Sequence, residues 1–151
     1  MSKNPSATLR ALRPDDKPQW APLWRDYLAF YEATRPPEIY DLYFDRLIGT
    51  DPQDFNALVA EVDGKLVGLA HYLFHRHGWS EENTCYLQDL YTAPQARGRG
   101  LGRALIEAVY ADADAAGVPS VYWLTQDFNT QARHLYDRIG AKTPFIKYAR
   151  K

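Results

Sequence analysis

The chain of 151 residues has one cysteine, one methionine and no long apolar run. A lone thiol, Cys85, excludes an internal disulfide and every cysteine-rich zinc framework. No apolar stretch approaches the roughly 18 residues that a membrane span requires. The opening Met1 to Arg10 lacks the apolar core of a signal peptide, so a cytoplasmic protein with no membrane partner is expected. Charge of one sign is also missing: 18 Lys and Arg face 19 Asp and Glu, for a net charge of −1. The chain therefore has no overall pull toward nucleic acid. Its hydrophobic fraction, 46%, is that of a globular protein. The length suits one domain over residues 1–151, with residues 1–6 as a disordered start.

The elements follow from periodicity. Ala7 to Leu12 alternates as a short strand. Arg13-Pro14-Asp15-Asp16 is a stop and a helix start, with Asp15 or Asp16 as N-cap. Trp20, Leu23, Trp24, Tyr27, Leu28 and Tyr31 form a helical stripe at i, i+3, i+4 and i+7. Pro36-Pro37 ends it, and Tyr40, Tyr43, Phe44 and Leu47 give a second helix ending near Gly49. Phe55 to Val62 and Lys65 to His75 read as strands joined by a tight Asp63-Gly64 turn. Thr84 to Thr92 is a further strand. A helix from Gly100 to about Ala116, a short strand Val121 to Leu124, a helix from Asn129 to Gly140 and a last strand Thr143 to Tyr148 complete the order β-α-α-β-β-β-α-β-α-β. This predicts an α/β (α+β) domain whose mixed sheet is flanked by helices.

The chemistry concentrates between Asp89 and Ala108. Arg97-Gly98-Arg99-Gly100-Leu101-Gly102-Arg103 lies between a strand and a helix. Glycines let successive N–H groups turn into one hollow, and the first helical turn adds unpaired donors and a positive dipole end. Together they suit a phosphate or pyrophosphate. The loop lacks the Gly-Lys-Ser/Thr ending of a triphosphate P-loop. Its glycines at every second position, after a late strand, do not match a dinucleotide fingerprint.

What they do match is Arg/Gln-x-x-Gly-x-Gly/Ala. With Tyr86-Leu87-Gln88-Asp89-Leu90-Tyr91 upstream and Asn129-x-x-Ala132-x-x-Leu135-Tyr136-x-x-x-Gly140-Ala141 downstream, the chain resembles the GNAT superfamily of N-acetyltransferases. The wording is closest to the branch of diamine, yeast histone and D-amino-acid acetyltransferases. The resemblance implies a mostly antiparallel central sheet and acetyl-CoA as cosubstrate, with no metal. It implies transfer to a primary amine of a small molecule by direct attack in a ternary complex, and a homodimer in which the last strand exchanges. Loop N–H groups from Gly98 to Gly102, with Arg97, Arg99 or Arg103, would hold the pyrophosphate, while Leu90, Tyr91 and Thr92 would pair with the pantetheine arm beside a strand bulge. Asn129 would cap its helix and face the same ligand.

Tyr136 is the expected acid for the departing thiolate, carried over from the family's tyrosine; on spacing alone it is a core tyrosine on the helix's apolar stripe. The base is less plain. Diamine acetyltransferases carry a glutamate where this chain has Gln88, and an amide cannot usefully accept a proton. Asp89 stands beside it, as a base or as an acceptor for loop N–H groups; a water chain or an amine deprotonated before binding are the alternatives. Tyr27, Phe30, Tyr31 and Gln88 are candidates for the acceptor pocket. His71, His75 and His77 lack a shaped ligand set for metal and are expected at the solvent or a pocket rim. Cys85 is expected to be buried and inert. The rivals to a small-molecule enzyme are a protein or histone lysine acetyltransferase and a non-catalytic acyl-CoA sensor. An unrelated nucleotide-binding module is the most distant.

Overall fold

The computed structural model describes residues 6–151; residues 1–5 of the expected disordered start lie outside the described residues. Five strands form one sheet in chain order: β1 (Thr8–Ala11), β2 (Asn56–Val62), β3 (Lys65–Arg76), β4 (Asn83–Thr92) and β5 (Ser120–Tyr122). The first four pair antiparallel and β5 joins β4 in parallel. This is the expected mixed, mostly antiparallel sheet. The β2–β3 hairpin turns on Asp63 and Gly64, both with positive φ, 50° and 77°. That is the backbone of the two-residue turn whose twist matches the flanking strands.

Helices α1 (Lys17–Phe30) and α2 (Pro37–Ile48) cover one face of the sheet. Helices α3 (Leu101–Ala115) and α4 (Thr130–Ile139) lie on the other. Each face has its own core. Trp20, Trp24, Tyr43, Phe44 and Leu69 fill the first; Tyr72, Leu87, Leu105, Ile106 and Val109 fill the second. Trp20 and Trp24 stack with centroids 5.5 Å apart, so the stripe of α1 brings two large rings into the first core.

Three expectations are corrected. Thr143 to Tyr148 is not a strand: it pairs with nothing in the sheet, and Phe145, Ile146 and Tyr148 are exposed. Its residues favour a pleated surface, but it forms no ladder with either edge of the sheet. Asp16 sits at the N-cap of α1 without capping it. Its buried carboxylate instead takes both arms of Arg10, at 2.7 and 2.9 Å, and the Arg13 N–H at 2.7 Å. These charge-assisted bonds hold the Asp16 pKa low against the opposing effect of burial. Asn129, at the N-cap position of α4, makes no side-chain cap; its amide reaches Thr125 Oγ1 at 3.3 Å.

Candidate active site

The site begins with a defect in β4. Along the β3–β4 ladder His71 faces Asp89, but the next partners are Tyr72 and Leu87. Gln88 is therefore an extra residue, a β-bulge. Its consequence is a change of face. Cys85 and Leu87 point into the α3 core, and simple alternation would send Asp89 and Tyr91 the same way. The bulge turns Asp89 and Tyr91 to the α1–α2 side instead, and leaves Gln88 facing solvent.

Asp89 is buried there among three donors. Its Oδ2 accepts from Tyr43 Oη at 2.6 Å, His71 Nδ1 at 2.8 Å and Trp24 Nε1 at 3.3 Å. Trp20 Nε1 donates to His71 Nε2 at 3.1 Å. An indole can only donate, so His71 carries its proton on Nδ1 and presents it to Asp89. Burial alone would raise the Asp89 pKa; the His71 and Tyr43 bonds outweigh it and hold the carboxyl below its usual range. His71 is thus wholly buried, against the expectation of a solvent or rim position. Its neighbour in the same series, His75, reaches Tyr122 Oη at 2.8 Å, and His77 lies beyond the end of β3. Among the described residues no group of three or more His, Cys, Asp or Glu is placed to hold a metal. Asp89 does not accept from the glycine loop either, because the bulge turns its carboxylate to the α1–α2 face, where Tyr43, His71 and Trp24 supply its donors. Sequence reasoning missed both His71 and Tyr43 as its partners. The signal was present only as the apolar setting of His71, between Leu69 and Leu73.

Beyond the bulge β4 parts from β5. The two strands pair only from Thr84 to Tyr86, against Ser120 to Tyr122. The edge of β4 from Leu87 onward is left without a strand partner on that side. A cavity of about 290 Å³ fills the opening, bordered by Leu87, Gln88 and Leu90 on one side and by Trp123 to Gln126 on the other. Tyr136, from α4, lines it, with its ring edge-on to Trp123 at 5.5 Å. Burial, aided by the nearby Tyr31, pushes the Tyr136 hydroxyl up to about 12, so it holds its proton at neutral pH. Tyr27 from α1 and Tyr31 just after it reach the same opening, while Phe30 is exposed. Lys147 borders it from the C-terminal segment.

At the far end of β4 lies the glycine loop. Gly98 and Gly100 have φ of 80° and 74°, left-handed values that L side chains rarely adopt. Gly100 leads directly into α3, whose first internal bond runs from Ala104 N–H to Gly100 O at 3.0 Å. The N–H groups of Leu101, Gly102 and Arg103 therefore lack partners within the helix. A Cβ built on Gly98 or Gly100 would meet no protein atom within 4 Å, so the hollow is open. Leu101 contributes only backbone, since its side chain is in the core. The arginines differ. Arg97 donates to Thr92 O at 3.0 Å and stands over the Tyr91 ring, and Arg103 pairs with Glu107 at 2.8 Å. Arg99 forms no ion pair with a described residue. Thr92 ends β4 and Asn129 directly precedes α4; neither lines the cavity itself. Cys85 is buried and its thiol pKa is pushed up to about 12 by burial, which makes it a poor nucleophile.

The chain and its fold resemble those of known proteins. Residues 20–141 match the acetyltransferase (GNAT) family. The D-amino-acid N-acetyltransferase HPA3 of Saccharomyces cerevisiae is 38% identical over 148 residues, covering 97% of this chain and 92% of that one. The thialysine N-epsilon-acetyltransferase of Mus musculus is 35% identical over 96 residues, 58% of this chain and 56% of that one. Among solved structures, the aminoglycoside N-acetyltransferase AAC(6')-Iy in complex with CoA superposes with a TM-score of 0.85 at 17% identity, covering 100% of this chain and 98% of the other. The likeness spans both motifs and the fold that joins them: the chain belongs to the acetyltransferase (GNAT) family.

Proposed function

We propose that this acetyl-CoA-dependent N-acetyltransferase acts on the amine of an amino acid, by direct attack within a ternary complex. The observation that carries the reading is the opening between β4 and β5, with the loop's open N–H groups at one end and the protonated Tyr136 hydroxyl on its wall. The 38% identity to a D-amino-acid acetyltransferase supports the acceptor class. In this account the hollow from Gly98 to Gly102 and the N-terminus of α3 hold the pyrophosphate, with Arg99 the arginine freest to add charge. The unpaired edge from Leu90 to Thr92 offers backbone partners to the amides of the pantetheine arm. Asn129, at the start of α4, faces the same ligand in this reading.

The amine nitrogen attacks the thioester carbon, a C–N bond forms and the C–S bond breaks. Tyr136 gives its proton to the departing sulfur, and the surplus proton of the amine goes to solvent. Asp89 serves as a fixed negative charge rather than a base. With three donors on one oxygen it is ionised and weakly basic, and it anchors the bulge from which Gln88 projects. The amine therefore arrives already deprotonated. The exposed Phe145, Ile146 and Tyr148 support a homodimer built through that segment. The lone buried thiol of Cys85 is in keeping with a cytoplasmic location.

The test is thiol release from acetyl-CoA across D- and L-amino acids, polyamines and histone peptides. Amino acids should give the largest amine-dependent rates. Tight CoA binding with no release to any amine would overturn acetyl transfer, and faster turnover of histone peptides would move the acceptor to protein lysine.

A further inference from the structure

A second cavity, of about 420 Å³, lies behind Gln88 between α1 and α2. Tyr27, Tyr31 and Gln88 border both this cavity and the β4–β5 opening, so the two meet across the bulge. A molecule seated in the second cavity thus presents its near end to the first. The walls are apolar: Leu28 comes from α1, and Ile39 and Leu42 from one side of α2. Leu42 is 44% exposed, so this part of the apolar wall is open to an entering molecule.

Two cations stand on this apolar lining. Arg46 follows Ile39 and Leu42 on the same side of α2, at the spacing that stacks residues along one helix face. Arg35 comes from the connection between the helices. Neither forms an ion pair with a described carboxylate. The one acid on the lining, Asp89, already has its Oδ2 filled by Tyr43, His71 and Trp24. The cavity therefore offers two uncommitted guanidinium groups, an apolar wall and a route to the thioester side of the bulge. Guanidinium groups recognise carboxylates through paired N–H donors.

Resting on the reading that an amine is acetylated in the β4–β5 opening, we infer that Arg35 and Arg46 bind the carboxylate of the acceptor, which makes the preferred acceptor an α-amino acid with an apolar side chain packed against Leu28, Ile39 and Leu42. Two arginines repel a polyamine, whose far end is a second cation. The same clamp bears on the missing glutamate at position 88. An alkyl amine has a pKa near roughly 10, whereas an α-amino group without a neighbouring free carboxylate has one near about 8. Neutralising the carboxylate moves the amine toward the lower value, so a useful fraction is free to attack without a dedicated base.

The experiment compares leucine, leucinamide and isopentylamine as acceptors, using both enantiomers where they exist. It is run on the wild-type protein and on Arg35→Ala, Arg46→Ala and the double variant, whose changes lie on exposed side chains. Binding of N-acetylleucine and N-acetylleucinamide in the presence of CoA is measured by calorimetry alongside. In the wild type, kcat/KM should favour leucine over leucinamide by at least about 100-fold, the low end for a lost pair of charge-assisted bonds. In the double variant that ratio should fall toward one, and N-acetylleucine should bind about 100-fold more weakly while N-acetylleucinamide binds equally to both. Acetylation of amines with no preference for the carboxylate, or a preference that survives both substitutions, overturns the inference and leaves acetyl transfer standing. Failure of every amine to react, with CoA binding intact, overturns acetyl transfer and this inference with it.

Discussion

Replacing Tyr43 by Phe removes a single oxygen from the protein's most concentrated polar cluster. Tyr43 is buried, and its ring sits edge-on to Phe55 and to His71 at 5.0 and 5.1 Å, so the phenyl ring of the variant keeps those contacts. What is lost is the 2.6 Å bond to an ionised, buried carboxylate. A hydrogen bond to a charged group is worth about 1.5–3 kcal/mol, and the remaining donors, His71 at 2.8 Å and Trp24 at 3.3 Å, leave Asp89 underfilled. The expected loss at pH 7 is about 2 kcal/mol, or about 4–8 °C in Tm for a chain of this size. The pH dependence has a definite sign. Asp89 has a folded pKa below its unfolded value, so its contribution is present above about pH 4 and is lost as pH falls through the folded value. Removing the Tyr43 donor raises the folded pKa, and the variant begins to lose stability at a higher pH than the wild type. Urea unfolding followed by tryptophan fluorescence, at pH 7 and in acid, measures both effects. In an Asp89→Asn background the cost of Tyr43→Phe should fall by half or more. A cost below about 0.5 kcal/mol, or one unchanged by pH and by Asp89→Asn, would refute the claim that Tyr43 holds a buried carboxylate.

Other perturbations test the remaining parts. Gly100→Val places a β-branched side chain at φ 74° in the open hollow; it should weaken CoA binding at least tenfold by calorimetry, while the strain, of about 1–2 kcal/mol, leaves the protein folded. Gly140→Ala puts a Cβ 2.9 Å from Trp123 Cη2, under the ring that contacts Tyr136; it should cost about 1–3 kcal/mol in urea unfolding and lower kcat together. Because Tyr136 holds its proton to about pH 12, kcat/KM should rise with pH as the amine deprotonates and show no descending limb below about pH 10.

Most of the fold is legible in the sequence because its elements bury one face each. The Trp20 to Tyr31 stripe, the Asp63-Gly64 turn and the alanine-rich face of α3 signal their structures through spacing and backbone chemistry. The glycine loop is legible for the same reason: positive φ at Gly98 and Gly100 is what those glycines permit. The centre of the site is not. Cys85, Leu87, Asp89 and Tyr91 alternate without a break, so nothing in their spacing reports that Gln88 bulges and sends the last two to the opposite core. The pairing of Asp89 with His71, Tyr43 and Trp24 joins four elements that meet only after folding, and no local pattern encodes it. Thr143 to Tyr148 shows the opposite failure, a strand-like composition that pairs with no strand.

The central claim is that Tyr136 protonates the departing thiolate in the opening between β4 and β5. Its most direct test is steady-state thiol release by Tyr136→Phe with saturating acetyl-CoA and an amino-acid acceptor, beside the Kd for CoA. Here kcat should fall by about 100-fold, within the usual reach of acid catalysis, while Kd stays within about twofold. An unchanged kcat, or equal losses in kcat and CoA affinity, would contradict it and return Tyr136 to the core.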